Sequence, residues 1–168
     1  MQASPPAPGG TFPLTQLRPA VPEDEDLLVR WLGELDATAA TARAAGHDEL
    51  TLGVGLLLAT APERLLVGWC GGEPVGLVTL SPEPDRPGCL TVGLIVDRAW
   101  RGRGLAVLLL RAAAVTARAG GVTALRAVVR CDNEPSRRAF RRAGFCFSPA
   151  AGPFSEEAWL DLKGAVLT

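Results

Sequence analysis

Val92-Gly93-Leu94-Ile95-Val96-Asp97-Arg98-Ala99-Trp100-Arg101-Gly102-Arg103-Gly104-Leu105-Ala106 decides the fold, because it runs from an apolar strand through a turn of glycine and arginine straight into a helix. Beyond the turn, Leu105, Leu108, Leu109, Ala112 and Val115 recur at helical spacing, and Gly120-Gly121 supplies the stop. Glycines at such a turn let the backbone approach a ligand, while the first turn of the helix offers N–H groups without intrahelical partners. Arg98, Arg101 and Arg103 surround those amides with guanidinium groups suited to phosphate oxygens. A phosphate cradle is the implied function of this stretch.

Two common phosphate binders do not fit. A Walker loop needs Lys followed by Ser or Thr at the helix start, whereas Leu105-Ala106 follows Gly104 here. A dinucleotide fold places its glycines after the first strand of a βαβ unit, but this turn follows several strands and Val107 stands where the third glycine belongs.

Upstream of the cradle, Leu14 to Arg18 reads as a short strand, and Pro22-Glu23-Asp24-Glu25-Asp26 opens a helix whose apolar stripe is Leu27, Leu28, Trp31, Leu32 and Leu35. Ala37 to Ala61 is helical in composition, with Gly46, Gly53 and Gly55 suggesting two short helices and a mobile join. Leu65 to Cys70 and Pro74 to Leu80 form a hairpin through Gly71-Gly72-Glu73, and Ser81 to Gly88, with three prolines, reads as a surface loop before the strand Cys89 to Val96. Downstream come a strand over Ala124 to Val129, a helix over Pro135 to Ala143 closed by Gly144, and late strands at Phe145 to Phe147 and Ala158 to Leu162. The expected fold class is α/β (mixed α+β) with antiparallel hairpins.

The chain has 168 residues, 48% hydrophobic and 21% charged, which suits one packed domain. Residues 1–13, rich in Pro, Gly and Ala, read as a flexible leader, leaving 14–168 as the single domain. A net charge of -1 demands no polyanionic partner, and the arginines of the later helix lack the aromatic interleaving of a nucleic-acid surface. Cys70, Cys89, Cys131 and Cys146 lack the close pairing of zinc ligands and read as reduced, buried thiols, so no metal is expected. The N-terminus has no basic start or apolar core, and the uncharged run from Leu52 to Pro62 is about half the length a membrane span needs. A cytoplasmic location is expected, with no membrane partner.

With both halves of the cradle on view, the sequence resembles the GNAT superfamily of N-acyltransferases, whose signature appears as Arg101-x-x-Gly104-x-Ala106. Val92-Gly93-Leu94-Ile95-Val96-Asp97 is similar to the family's fourth strand, and Asn133-Glu134-Pro135-Ser136-Arg137-Arg138-Ala139-Phe140-Arg141-Arg142-Ala143-Gly144-Phe145 to its second coenzyme-side motif. The resemblance implies a mostly antiparallel mixed sheet splayed between strands four and five and flanked by helices. It implies acetyl-CoA as acyl donor and an amine of a small molecule or protein as acceptor, and many similar proteins are homodimers. Carried onto this chain, the coenzyme would be held by Leu94, Ile95 and Val96, by Arg101, Gly102, Arg103, Gly104, Leu105 and Ala106, and by Asn133, Ser136 and Phe140.

The catalytic residues do not carry over. Many relatives place a proton-donating tyrosine where this chain has Phe140, and the chain contains no tyrosine. Cys131 and Ser136 are substitute donors near the same groove, and His47, the sole histidine, is a candidate base with an ordinary pKa near about 6.5. On the fourth strand, Cys89 and Thr91 stand where some relatives have a carboxylate. Two readings follow: an acetyltransferase acting by direct attack in a ternary complex, or an acyl-CoA-binding sensor that kept the cradle and lost the chemistry.

Overall fold

The computed structural model describes residues 13–38, 47–152 and 154–164. The leader through residue 12 and the join at 39–46 lie outside the described residues. A seven-stranded sheet in the order β1-β2-β3-β4-β5-β7-β6 organises the chain. Its strands are β1 (Gln16–Pro19), β2 (Leu65–Cys70), β3 (Glu73–Pro82), β4 (Cys89–Val96), β5 (Ala124–Arg130), β6 (Cys146–Gly152) and β7 (Ser155–Asp161). All neighbours are antiparallel except β4 and β5.

Among the described residues four α-helices flank the sheet: α1 (Glu25–Thr38), α2 (His47–Thr60), α3 (Leu105–Ala119) and α4 (Glu134–Arg142). Alternation along each strand sends successive side chains to opposite faces, and this builds two cores. On one face Val92 of β4, Leu125 and Ala127 of β5 and Ala158 and Leu160 of β7 meet Leu109, Leu110 and Ala113 of α3, Phe140 of α4 and Ala143 just past its end. On the other face Leu65, Val67, Leu77 and Ile95 meet Leu28 and Trp31 of α1 and Val54 and Leu58 of α2. That second core draws on β2 to β4, with no residue from β5, β6 or β7.

Helix α3 sinks unusually deep into the sheet. A Cβ at Gly68 would stand 2.2 Å from Leu109 Cδ2, and one at Gly76 would stand 2.4 Å from the Ile95 carbonyl oxygen and 2.8 Å from Leu109 Cδ1. Two absent methyl groups therefore admit one leucine.

Some sequence expectations need correction. Glu73–Pro82 is one ten-residue strand, so β3 continues into the stretch expected to be loop, where antiparallel pairing to β4 carries Ser81 and Pro82. Gly53 and Gly55 do not break α2, because Val54 between them and Leu58 one turn on are buried against the sheet and tertiary packing outweighs glycine's low propensity. The last two strands are longer than expected and pair with each other across an irregularity between Ser148 and Gly152. All four cysteines are free, but Cys131 and Cys146 are exposed.

Candidate active site

Strands β4 and β5 are registered over Cys89↔Ala124, Leu90↔Leu125 and Thr91↔Arg126, and then part. From Val92 to Val96, β4 is paired with β3 on one side and has no strand partner on the other. A row of backbone N–H and C=O groups left open inside a groove is a template for an extended ligand that carries amides of its own.

At the end of β4 the chain is pinned and then released. Asp97 Oδ1 accepts the Ala99 N–H at 2.9 Å, capping the 3-10 turn Arg98–Trp100. Trp100 and Leu105 are buried together with Cys70 and Val75, so both ends of the turn are footed in an apolar cluster. Between those feet, Gly102 and Gly104 take φ of 75° and 77°, the left-handed region that other residues enter at a cost of about 1 to 2 kcal/mol. The start of α3, where a helix leaves its first amides without intrahelical partners and carries the positive end of its dipole, borders the cleft through Gly104, Leu105 and Ala106.

These features line one cleft of ≈ 940 Å³, which runs from Leu94, Ile95 and Val96 past Arg101, Gly102, Gly104, Leu105 and Ala106 to Asn133, Ser136, Arg138 and Arg142 of the α4 region. Arg98 lines it as well. The Arg101 Nε donates to the Val96 carbonyl at 3.0 Å, and its Nη2 stands 4.0 Å from Glu34 Oε2. Arg103 instead folds over Trp100, its guanidinium carbon 5.3 Å from the ring centroid, and is not among the lining residues. Asn133 caps α4, its Oδ1 accepting the Ser136 N–H at 3.2 Å.

The catalytic candidates fare differently from the cradle. Phe140 is 3% exposed and packs edge-on against Phe145, ring centroids 4.9 Å apart, so its neighbour Ala139 lines the cleft in its place. Ser136 lines the cleft, whereas Cys131 is exposed outside the lining residues. His47 opens α2, but its side chain lies outside the described residues. Burial pushes the Cys89 thiol up, and the Thr91 hydroxyl donates to Glu83 Oε1, so neither is an available base.

Two features escaped sequence reading. Trp31 and Glu34 of α1 form one wall of the cleft, and Trp31 Nε1 donates to Asp97 Oδ2 at 2.9 Å. A tryptophan on an apolar stripe, carrying an N–H that needs an acceptor, was the one available signal. On the sheet face away from α3 and α4, Arg126 joins Glu83 to Glu157. The Thr91 hydroxyl and then Arg126 hold Glu83 below its ordinary carboxylate range, and Arg126 does the same for Glu157. No local pattern could show three residues so far apart in sequence.

Among the described residues no group of His, Cys, Asp and Glu is arranged to hold a metal, and no helix is long and apolar enough to cross a membrane.

The family model described as Acetyltransferase (GNAT) family matches residues 31–145. No curated protein matches the chain significantly. Similar solved structures include the yncA protein of Salmonella typhimurium with acetyl-CoA, at 17% identity and a TM-score of 0.71, covering 94% of this chain and 97% of that one. An N-acetyltransferase of Staphylococcus aureus Mu50 is 21% identical, with a TM-score of 0.70 over 88% and 98% of the two chains. The ribosomal-protein-alanine N-acetyltransferase of Brucella melitensis is 18% identical, with a TM-score of 0.68 over 86% and 96%. At these identities the likeness is one of fold.

Proposed function

The chain belongs to the GNAT acetyltransferase family, and from that premise we propose that it moves an acetyl group from acetyl-CoA to a primary amine of a small molecule or protein. The observation that carries the reading is a strand edge left open beside a glycine-relaxed helix start, both lining the same ≈ 940 Å³ cleft. That combination suits a molecule with a diphosphate at one point and an extended, amide-bearing tail leading from it.

In this reading the amides at Leu105 and Ala106 and the guanidinium of Arg101 hold the diphosphate, with Arg138 and Arg142 adding positive charge from the facing helix. The edge of β4 from Leu94 to Val96, whose last carbonyl already accepts Arg101 Nε, orients the tail, and Asn133 and Ser136 border it from the other side. Acetyl-CoA supplies an acyl group activated as a thioester, ready for direct attack by an amine in a ternary complex. The protein's contribution is to align that attack and to exclude competing geometries. With phenylalanine at position 140 and no tyrosine in the chain, no phenol serves as proton donor, and water in the open cleft protonates the CoA thiolate released as the C–S bond breaks.

A second reading, an acyl-CoA sensor of weak or no activity, is favoured by the burial of Phe140. Incubation of the protein with acetyl-CoA and a panel of amines, following release of free thiol, separates the two. Release above the rate without protein is the expected result. Tight CoA binding with no release for any amine would favour the sensor, and no CoA binding at all would overturn both.

A further inference from the structure

The sheet consists of two well-knit blocks with a thin seam. Strand β3 pairs with β4 from Gly76↔Val96 to Pro82↔Leu90, and β5 pairs with β7 along its whole length from Ala124↔Asp161 to Arg130↔Ser155. Between the blocks the ladder ends at Thr91↔Arg126. Parallel pairing is the weaker kind per residue, so this short ladder is a poor guarantee of the groove's width.

One side-chain ion pair, Arg126 to Glu83, crosses the seam at the level where backbone pairing stops, and further hydrogen bonds within each block hold its two ends. The Thr91 hydroxyl of β4 and Arg126 Nη1 of β5 both donate to Glu83 Oε1, the latter at 3.1 Å. Arg126 Nη2 donates to Glu157 Oε1 of β7 at 2.6 Å, and Trp159 Nε1 donates to Glu157 Oε2 at 3.1 Å. The Glu83 N–H in turn donates to the Cys89 carbonyl at 3.1 Å, so Glu83 travels with the start of β4. Arg126, Glu83 and Glu157 are each about four-fifths shielded, with side-chain exposures of 22%, 21% and 20%. A single guanidinium with a carboxylate on each side, one per block, is a clasp rather than an ordinary surface pair.

We propose that Arg126 is a positioning residue for acyl-CoA: by joining Glu83 to Glu157 across the end of the β4–β5 ladder, it fixes how far the two strands stand apart and so the fit of the groove. The inference rests on the acyl-CoA reading of the cleft. Arg126 touches no part of the coenzyme in this account and acts through the strands alone. Small errors in groove geometry are costly to a ligand held along its length.

Calorimetric titration of CoA into the full chain tests it. Arg126→Met, which keeps length and removes both ion pairs, is expected to weaken CoA binding on the order of tenfold. Arg126→Lys recovers part of that loss, Glu83→Gln, which removes the ion pair that crosses between the blocks, loses nearly as much as Arg126→Met, and Glu157→Gln, which leaves that crossing pair intact, loses less. Asp24→Asn breaks an ion pair of the same kind, made with Arg18 outside the cleft, and is expected to lower the melting temperature with CoA affinity unchanged. Wild-type affinity in a folded Arg126→Met overturns the proposal, as does an equal loss in Asp24→Asn, which would make the effect general destabilisation. Should Arg126→Met not fold, unchanged affinity in a folded Glu83→Gln overturns it equally. No CoA binding by the wild type overturns the acyl-CoA reading itself, and the positioning role with it.

Discussion

Trp31 Nε1 donates to Asp97 Oδ2 at 2.9 Å, so one carboxylate ties helix α1 to the end of β4 while its other oxygen caps the turn that leads to α3. Trp31 is fully buried among the apolar side chains of the second core, and Asp97 Oδ2 is its indole's acceptor. Asp97→Ala is expected to cost about 1 to 3 kcal/mol in urea unfolding, the sum of a lost cap and an orphaned indole N–H. Trp31→Phe removes the donor together with its need and keeps most of the apolar contact, so it is expected to be milder with respect to the turn and to leave CoA affinity closer to wild type.

Arg101 and Arg103 are expected to differ in effect despite their spacing in the turn. Arg101 lines the cleft, whereas Arg103 lies over Trp100. Arg101→Ala should weaken CoA binding by about 1.5 to 3 kcal/mol, the range for a charge-assisted bond, and Arg103→Ala by much less. Titration of both variants checks this, and equal losses would show that Arg103 swings onto the diphosphate.

Gly104→Ala places a side chain at φ 77°, where space is open but the backbone is strained. A stability loss of about 1 to 2 kcal/mol is expected. Relaxation of that strain would turn the first amides of α3 away from the cleft, so CoA affinity is expected to fall alongside the melting temperature.

Phe140→Tyr restores the residue type found in many relatives but sends a hydroxyl into the contact with Phe145. The expected result is a lower melting temperature, by about 1 to 3 kcal/mol of stability, with no gain in acetyl transfer. A faster variant would show that this ring reaches the cleft when substrate is present.

Acid should loosen the start of α1. Burial works against the charge on Asp24, but the Arg18 side chain and the Val21 N–H more than offset it and bring its pKa below 3.8. A carboxyl lowered on folding contributes stability that is present above its unfolded pKa and lost as pH falls through the folded one. Melting temperature against pH should therefore drop below about 4 in the wild type, and the drop should be shallower in Asp24→Asn.

The fold was legible where local chemistry sufficed. The arginine and glycine turn, the stop at Gly120-Gly121 and the hairpin through Gly71-Gly72 each announce themselves within a few residues, and the structure has α3, β2 and β3 there. The lining of the candidate cleft was legible only along β4, the cradle and the start of α4, because those residues follow one another in the chain. Phe140 illustrates the limit: its place in the α4 stretch suggested a residue facing the coenzyme, but the contact with Phe145 that turns it inward closes around the end of the helix. Glu83, Arg126 and Glu157 illustrate another, since only the register of β4, β5 and β7 brings them together.

Leu109 sits one turn beyond the cradle, in a hollow left by Gly68 and Gly76 on strands that never reach the cleft. The depth at which the helix beds therefore dictates how far its leading amides project, much as a peg's socket sets the height of its tip. Bulk added at Gly68 would lift the helix, and bulk at Gly76 would press on the Ile95 carbonyl of β4 as well, so either would be read in an assay as poor coenzyme affinity although neither glycine lines the cleft. Screens that sort substitutions by proximity to the ligand would misfile both.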